Sequence, residues 1–242
     1  MGPIRFFSIL LLYILSFSPT LLFSQTTSEN EYGSWFVLSG TNIIGEKWSI
    51  PTVGILRHHG MWENYEFAFV RTGINYHASQ KVQLGLGGAF LDSKHYLPGE
   101  DIEIGRQFWF YQQLRMKSKW YRYSLDHRLR LENRWIHREQ DVYFNARVRY
   151  RIQFIKPLVQ RIYVRSFNEL FVNLNENLFN QNRLYIGIGF KASKNLNIDF
   201  GYLKNHFNSH QNDVIRMGVQ FKTNMASGKK NFAKKGSSKI RA

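Results

Sequence analysis

The chain has no cysteine in its 242 residues. That excludes disulfides, thiolate metal sites and cysteine nucleophiles, so a secreted chain of this size must be held by its own core or by a bilayer. Acidic residues are scarce as well: 17 Asp and Glu stand against 33 Lys and Arg, for a formal charge of +16 and a pI near 10.0. Such an excess raises nucleic-acid binding, but its placement matters more than its total. Arg5 lies near the start, and Lys222, Lys229, Lys230, Lys234, Lys235, Lys239 and Arg241 lie in the final stretch; removing these eight from sixteen leaves about +8 for the body. Also missing is a second long apolar run. Beyond Phe6 to Phe17 nothing approaches the roughly 20 residues of a spanning helix, which excludes a helical inner-membrane protein.

What is present begins with an address. Arg5, the apolar run Phe6 to Phe17, Pro19 and the polar exit Ser24-Gln25-Thr26 read as a secretory signal peptide over residues 1–25. A single β domain is expected over 26–222, followed by a Lys-rich, acid-free disordered tail over 223–242. The leader argues against a nucleic-acid partner.

The clearest structural signal runs from Trp120 to Ile155. Tyr121, Tyr123, Leu125, His127, Leu129 and Leu131 alternate with Arg122, Ser124, Asp126, Arg128, Arg130 and Glu132. The pattern returns with Val142, Phe144, Ala146, Val148, Tyr150, Ile152 and Phe154 against Tyr143, Asn145, Arg147, Arg149, Arg151 and Gln153. A strict period of two predicts long strands with one apolar and one charged face. Similar reading elsewhere predicts ten strands from Trp48 onward, with Trp35 to Leu38 as a short extra strand or half of a further hairpin. Short turns are expected at His77–Gln80, Lys117–Lys119, Lys156–Val159 and Ser193–Asn195. Long loops are expected at Asp92–Gly105, Arg134–Gln140, Leu174–Asn182 and Asn205–Asn212. Alternating short and long connections suit an outer-membrane barrel, and ten strands would bring both barrel ends to its periplasmic side.

Alternation alone leaves open whether the apolar face meets a core or lipid. Between Arg106 and Arg165 the lysines (Lys117, Lys119, Lys156) fall in expected turns, whereas the strand faces carry arginine. Arginine's planar fork suits fixed networks with carboxylates, and a lumen network of Asp126, Arg128, Arg130, Glu132, Arg147, Arg149, Arg151, Arg165 and Glu169 is expected. Aromatics such as Trp48, Trp62, Trp109, Trp120, Trp135 and Phe221 gather near strand ends, as interfacial girdles would. The fold class is therefore all-β: an antiparallel up-and-down transmembrane barrel of ten to twelve strands.

Several ordered segments sharpen this. Gly105-Arg106-Gln107-Phe108-Trp109-Phe110-Tyr111-Gln112-Gln113, His127-Arg128-Leu129-Arg130-Leu131-Glu132-Asn133-Arg134, Arg147-Val148-Arg149-Tyr150-Arg151, Glu169-Leu170-Phe171-Val172-Asn173 and Asn182-Arg183-Leu184-Tyr185 resemble an uncharacterised family of Gram-negative secreted proteins, domain of unknown function 2490. The resemblance covers about Trp35 to Phe221. It implies an outer-membrane-type barrel and supplies no activity. Outer-membrane strands commonly end on a terminal aromatic, whereas here about twenty residues follow Phe221.

Catalytic readings fare poorly. Ser124 and Asp126 face one way and His127 the other on a single strand, so they form no triad. His206, His210 and Asp213 could hold a metal from one loop, but exposed loop histidines are usually only polar. No cofactor is expected, and the chain is not read as an enzyme. The expected role is structural, or passive passage of small solutes including anions, with outer-membrane lipid and the barrel-assembly machinery as partners. The alternatives are a soluble periplasmic barrel binding an acidic or lipidic ligand and, third, a lipid-modifying barrel enzyme.

Overall fold

A computed structural model describes residues 31–96, 102–138, 141–175 and 178–226. They form eleven strands: β1 (Glu31–Ile43), β2 (Trp48–His59), β3 (Asn64–His77), β4 (Val82–Tyr96), β5 (Ile102–Trp120), β6 (Tyr123–Arg138), β7 (Asp141–Pro157), β8 (Ile162–Asn173), β9 (Phe179–Lys191), β10 (Leu196–His206) and β11 (Gln211–Asn224). Each strand pairs with its sequence neighbours and β1 pairs with β11, closing a barrel. Closure removes the sheet edges, so no row of backbone donors is left unpaired.

Three expectations change. The segment around Trp35 is a full strand of 13 residues, and it brings the count to eleven. An odd count makes the closing pair parallel, with Trp35 opposite Arg216 and Leu38 opposite Val219. β1 therefore starts at one rim and β11 ends at the other, so the barrel's ends do not share a side. The expected long loops are mostly strand. Asp92 to Tyr96 continue β4 and Ile102 to Gly105 begin β5. Arg134 to Arg138 extend β6, Phe179 to Asn182 open β9, and only Phe207 to His210 separate β10 from β11. Lys117, Lys119 and Lys156 likewise sit in the ends of β5 and β7 rather than in turns. The leader over 1–25 lies outside the described residues, as does the tail from 227 onward; Thr223 and Asn224 still belong to β11.

The pleat sends alternate side chains to opposite faces. Outward go large apolar residues all around the wall, including Val70, Leu86, Phe108, Leu129, Ile188 and Phe200; Ile188 is 62% exposed. Inward go Asp126, Arg128, Arg130 and Glu132 from β6, and Arg147 and Arg149 from β7, all buried. Glycine makes room for inward rings: a Cβ on Gly87 would lie 2.5 Å from the Tyr111 hydroxyl, and one on Gly73 would lie 2.8 Å from it. Pro51 lacks an N–H, and the pairing of β2 with β3 is interrupted at Ile50 and Pro51. A bulge at Arg57/His58 leaves Glu66 as an extra residue on β3, where it reaches Arg57 as an ion pair. The buried apolar cluster is small, namely Trp35, Phe167, Tyr185, Leu203 and Val214, with Phe67 packed against it.

Candidate functional site

The lumen is built around two carboxylates on the strands that flank β7. Glu132 on β6 is fully buried and lies opposite Arg147 in register. Arg147 donates to Glu132 Oε2 from Nε at 3.0 Å and from Nη2 at 2.7 Å. Arg149, one pleat further along, donates from Nη1 to Glu132 Oε1 at 2.7 Å. Its other edge donates to Glu169 Oε1 on β8, from Nη2 at 2.9 Å and Nε at 3.1 Å. Arg128 donates to the same Glu169 oxygen. One guanidinium thus bridges two buried acids, a use of the planar fork that a lysine could not reproduce. Arg130, only 1% exposed, lies 3.6 Å from Glu132 and donates to Gln113 Oε1 at 2.7 Å.

Two satellite clusters complete the wall. Asp126 accepts from Arg115 Nε at 2.6 Å and lies 3.6 Å from Arg151. Asp199 on β10 gathers Arg165 Nη1 at 2.9 Å, the Tyr185 hydroxyl at 2.9 Å, Gln220 at 2.6 Å and the Arg216 guanidinium. The nine residues expected from sequence therefore all face inward, but in three groups. Asp126 and Arg151 form one, and Arg128, Arg130, Glu132, Arg147, Arg149 and Glu169 form the centre. Arg165 belongs to a neighbouring cluster spanning β8 to β11, held by Asp199.

Aromatic rings fill the spaces between the charges. Arg149 lies 4.3 Å from the Phe171 ring centroid, Arg183 4.5 Å from that of Trp35, and Arg130 4.7 Å from that of Tyr111. Desolvated cation–π contacts of this kind contribute about 2 kcal/mol each. Sequence reasoning missed Asp199, Arg57, Arg71, Arg134, Arg183 and Arg216. Each sits on the inward set of its strand, so extending the β6–β7 alternation around the barrel would have found them.

The charges outnumber the acids. A cavity of about 920 Å³ runs through the barrel, bounded by Gly45 and Asn195 at one rim and Phe207 at the other. Twelve arginines line it against two acids, Glu46 and Glu169. Among the described residues, Arg71, Arg134 and Arg183 have no carboxylate within ion-pair distance. The rim where β11 ends is also basic. Exposed Lys47, Lys81, Arg122, Arg161 and Lys194 occupy its turns, and exposed Lys117, Lys119, Lys156, Lys191 and Lys222 its strand ends. Glu46 is the one acid there among the described residues. The opposite rim mixes Glu63, Asp92, Glu103 and Asp141 with Arg106 and Arg138.

The catalytic and metal candidates stay apart. Ser124 and Asp126 point inward, whereas His127 points outward and shares a 2.9 Å hydrogen bond with the Tyr150 hydroxyl. His210 stacks on Phe207 at 4.3 Å, and Asp213 accepts from Tyr202 and pairs with Lys204. Among the described residues no group of three or more His, Cys, Asp or Glu is placed to hold a metal.

Fold and lumen together define a closed, arginine-lined β-barrel. The family model described as protein of unknown function (DUF2490) matches residues 32–216, and the chain belongs to that family. No curated protein matches the chain.

Proposed function

We propose that this protein is an outer-membrane barrel that passes small anionic solutes through its lumen. The observation that carries this reading is the inversion of the two faces. Large apolar side chains such as Leu86, Phe108, Ile188 and Phe200 stand exposed around the outside, while Glu132, Glu169 and their arginines are buried within. In water so large an apolar surface would drive association, whereas in a bilayer it is the lipid-facing band. The cavity and its arginine lining support anions as the solute, because rings of Arg or Lys favour anions. The basic rim supports the same sign, since a cationic mouth raises the local anion concentration.

Membrane fractionation and planar-bilayer conductance test both halves. The expected outcome is detergent-dependent recovery with heat-modifiable migration, and anion-selective steps that change in Arg149→Ala with Arg151→Ala. Recovery in a periplasmic wash overturns the membrane half. Electrical silence from a demonstrably folded barrel overturns the passage half.

A further inference from the structure

We infer that the lumen contains a discrete binding site for a phosphate-type dianion, formed by Arg71 and Arg130 at the Tyr111 ring together with Arg128, one pleat from Arg130 on β6. The inference rests on the reading of the lumen as accessible to solute and adds a place and a ligand class. Three observations converge on it. The first is charge. Glu132 and Glu169 serve Arg128, Arg130, Arg147 and Arg149 as ion pairs, while Arg71 has no carboxylate among the described residues. Five guanidinium groups around two carboxylates leave a local surplus that one monovalent ion does not cancel.

The second is unused hydrogen-bonding capacity. Buried donors with no partner are Arg71 Nε, Arg128 Nε, and both Nε and Nη1 of Arg130, a side chain 1% exposed. A buried cationic donor left without an acceptor is costly, and such groups are ordinarily met by a bound water or ion. The third is geometry. Arg71 approaches the Tyr111 ring from β3 at 5.4 Å, and Arg130 approaches it from β6 at 4.7 Å. All three arginines line the 920 Å³ cavity. Gly73 and Gly87 keep the wall beneath the ring free of side chains, and the Tyr111 hydroxyl is fixed by donating to the Thr72 carbonyl at 3.2 Å.

Guanidinium forks gathered beside one ring, with donors to spare, match a tetrahedral oxyanion with several acceptor oxygens better than they match a spherical halide. The class is therefore inorganic phosphate or the phosphoryl group of a small phosphomonoester. A lipid headgroup is a poorer source, because the site lies on the inward face behind the strand wall.

The test is isothermal titration of inorganic phosphate into the full-length barrel refolded in a zwitterionic detergent, at constant ionic strength in potassium chloride. Expected is a saturable isotherm of one phosphate per chain, weakened at least tenfold by Arg71→Gln and by at most twofold by Arg106→Gln at the rim. Arg71→Lys keeps a charge but loses the fork, and should also bind at least several-fold more weakly; it serves as the second variant if Arg71→Gln fails to fold. A wild-type isotherm without saturation overturns the site, as does full affinity in both Arg71 variants. Because the titration needs no bilayer, its failure is separable from that of the passage reading. A conducting barrel that ignores phosphate sinks the site alone, and a phosphate-binding barrel found in the periplasmic wash sinks the membrane reading alone.

Discussion

The wall made by β5 to β8 and the wall made by β9 to β11 with β1 enclose the same lumen by opposite means. The first is filled with guanidinium and carboxylate groups: Arg147, Glu132, Arg149, Glu169 and Arg128 form one connected chain of charge-assisted bonds. The second is filled by Trp35, Tyr185, Leu203 and Val214, with an ionic knot at Asp199. Apolar packing is forgiving of partners but sensitive to volume, whereas an ion network tolerates volume changes but not the loss of a counter-charge. The comparison therefore assigns each wall its own weakness.

The largest effect is expected at Glu132. Glu132→Gln keeps the shape and removes the charge, leaving Arg147, Arg149 and Arg130 without their shared acid in a fully buried place. Breaking a buried pair in this way costs about 3–5 kcal/mol. The urea midpoint of the folded barrel in detergent should fall accordingly. Combining Glu132→Gln with Arg149→Gln should recover about 0.5–3 kcal/mol relative to the sum of the single changes, because the second removes one orphaned cation. An unfolding free energy for Glu132→Gln within about 0.5 kcal/mol of wild type, the range of substitutions that disturb no packing or pairing, would mean that water already solvates the network.

On the other wall, Leu203→Ala tests volume. Leu203 is fully buried among Trp35, Tyr185 and Val214 and carries no polar atom to rescue. A cavity of that size costs about 2–5 kcal/mol, toward the lower end where neighbours can relax. Salt should move neither loss much. Raising ionic strength should leave the Leu203→Ala loss unchanged and shrink that of Glu132→Gln only weakly, since buried pairs are screened little. A Leu203→Ala midpoint equal to wild type would show that this wall is not packed against the lumen.

How far each wall can be read from sequence follows from what enforces the alternation. Along β6 and β7 one face is apolar and the other ionic through the full barrel height, so the inward placement of Glu132, Arg130, Arg147 and Arg149 follows from the pattern, while the pairing of Glu132 with Arg147 and of Arg130 with Arg149 is set by the register of the two strands. Near the rims the pattern fades: Lys94, His95 and Tyr96 in β4 pair with Ile104, Glu103 and Ile102 in β5, yet read as loop. Outside an apolar belt nothing requires the outward face to be apolar, so backbone pairing continues while the period of two disappears. β1 was underread for a related reason, because Gly33, Ser34, Ser39 and Gly40 dilute its apolar set. The inward placement of Arg71 and Arg183 is legible from the alternation of β3 and β9, but their partners, Tyr111 and Trp35, come from other strands, and a single strand's pattern does not reveal those.

The smallest effects separate the inner packing of these walls from their outer surface. A Cβ on Gly187 would overlap the Tyr185 hydroxyl and lie 2.7 Å from the Phe200 carbonyl oxygen, so the ring and the strand behind it would both have to shift. Overpacking of this kind costs about 1–3 kcal/mol, and Gly187→Ala should lower the unfolding free energy read from urea titration by that amount. Gly54 has nothing within 4 Å of the corresponding position. There the added methyl meets no atom and the strand loses a flexible residue, so Gly54→Ala should raise the unfolding free energy by about 0.5–1 kcal/mol. Opposite signs for the same chemical change would locate the close packing on the lumen side alone. Equal losses at both sites would instead mean that the outer surface is packed against something as close-fitting as the tyrosine ring inside, and the outward apolar belt would then be an interface with protein rather than with lipid.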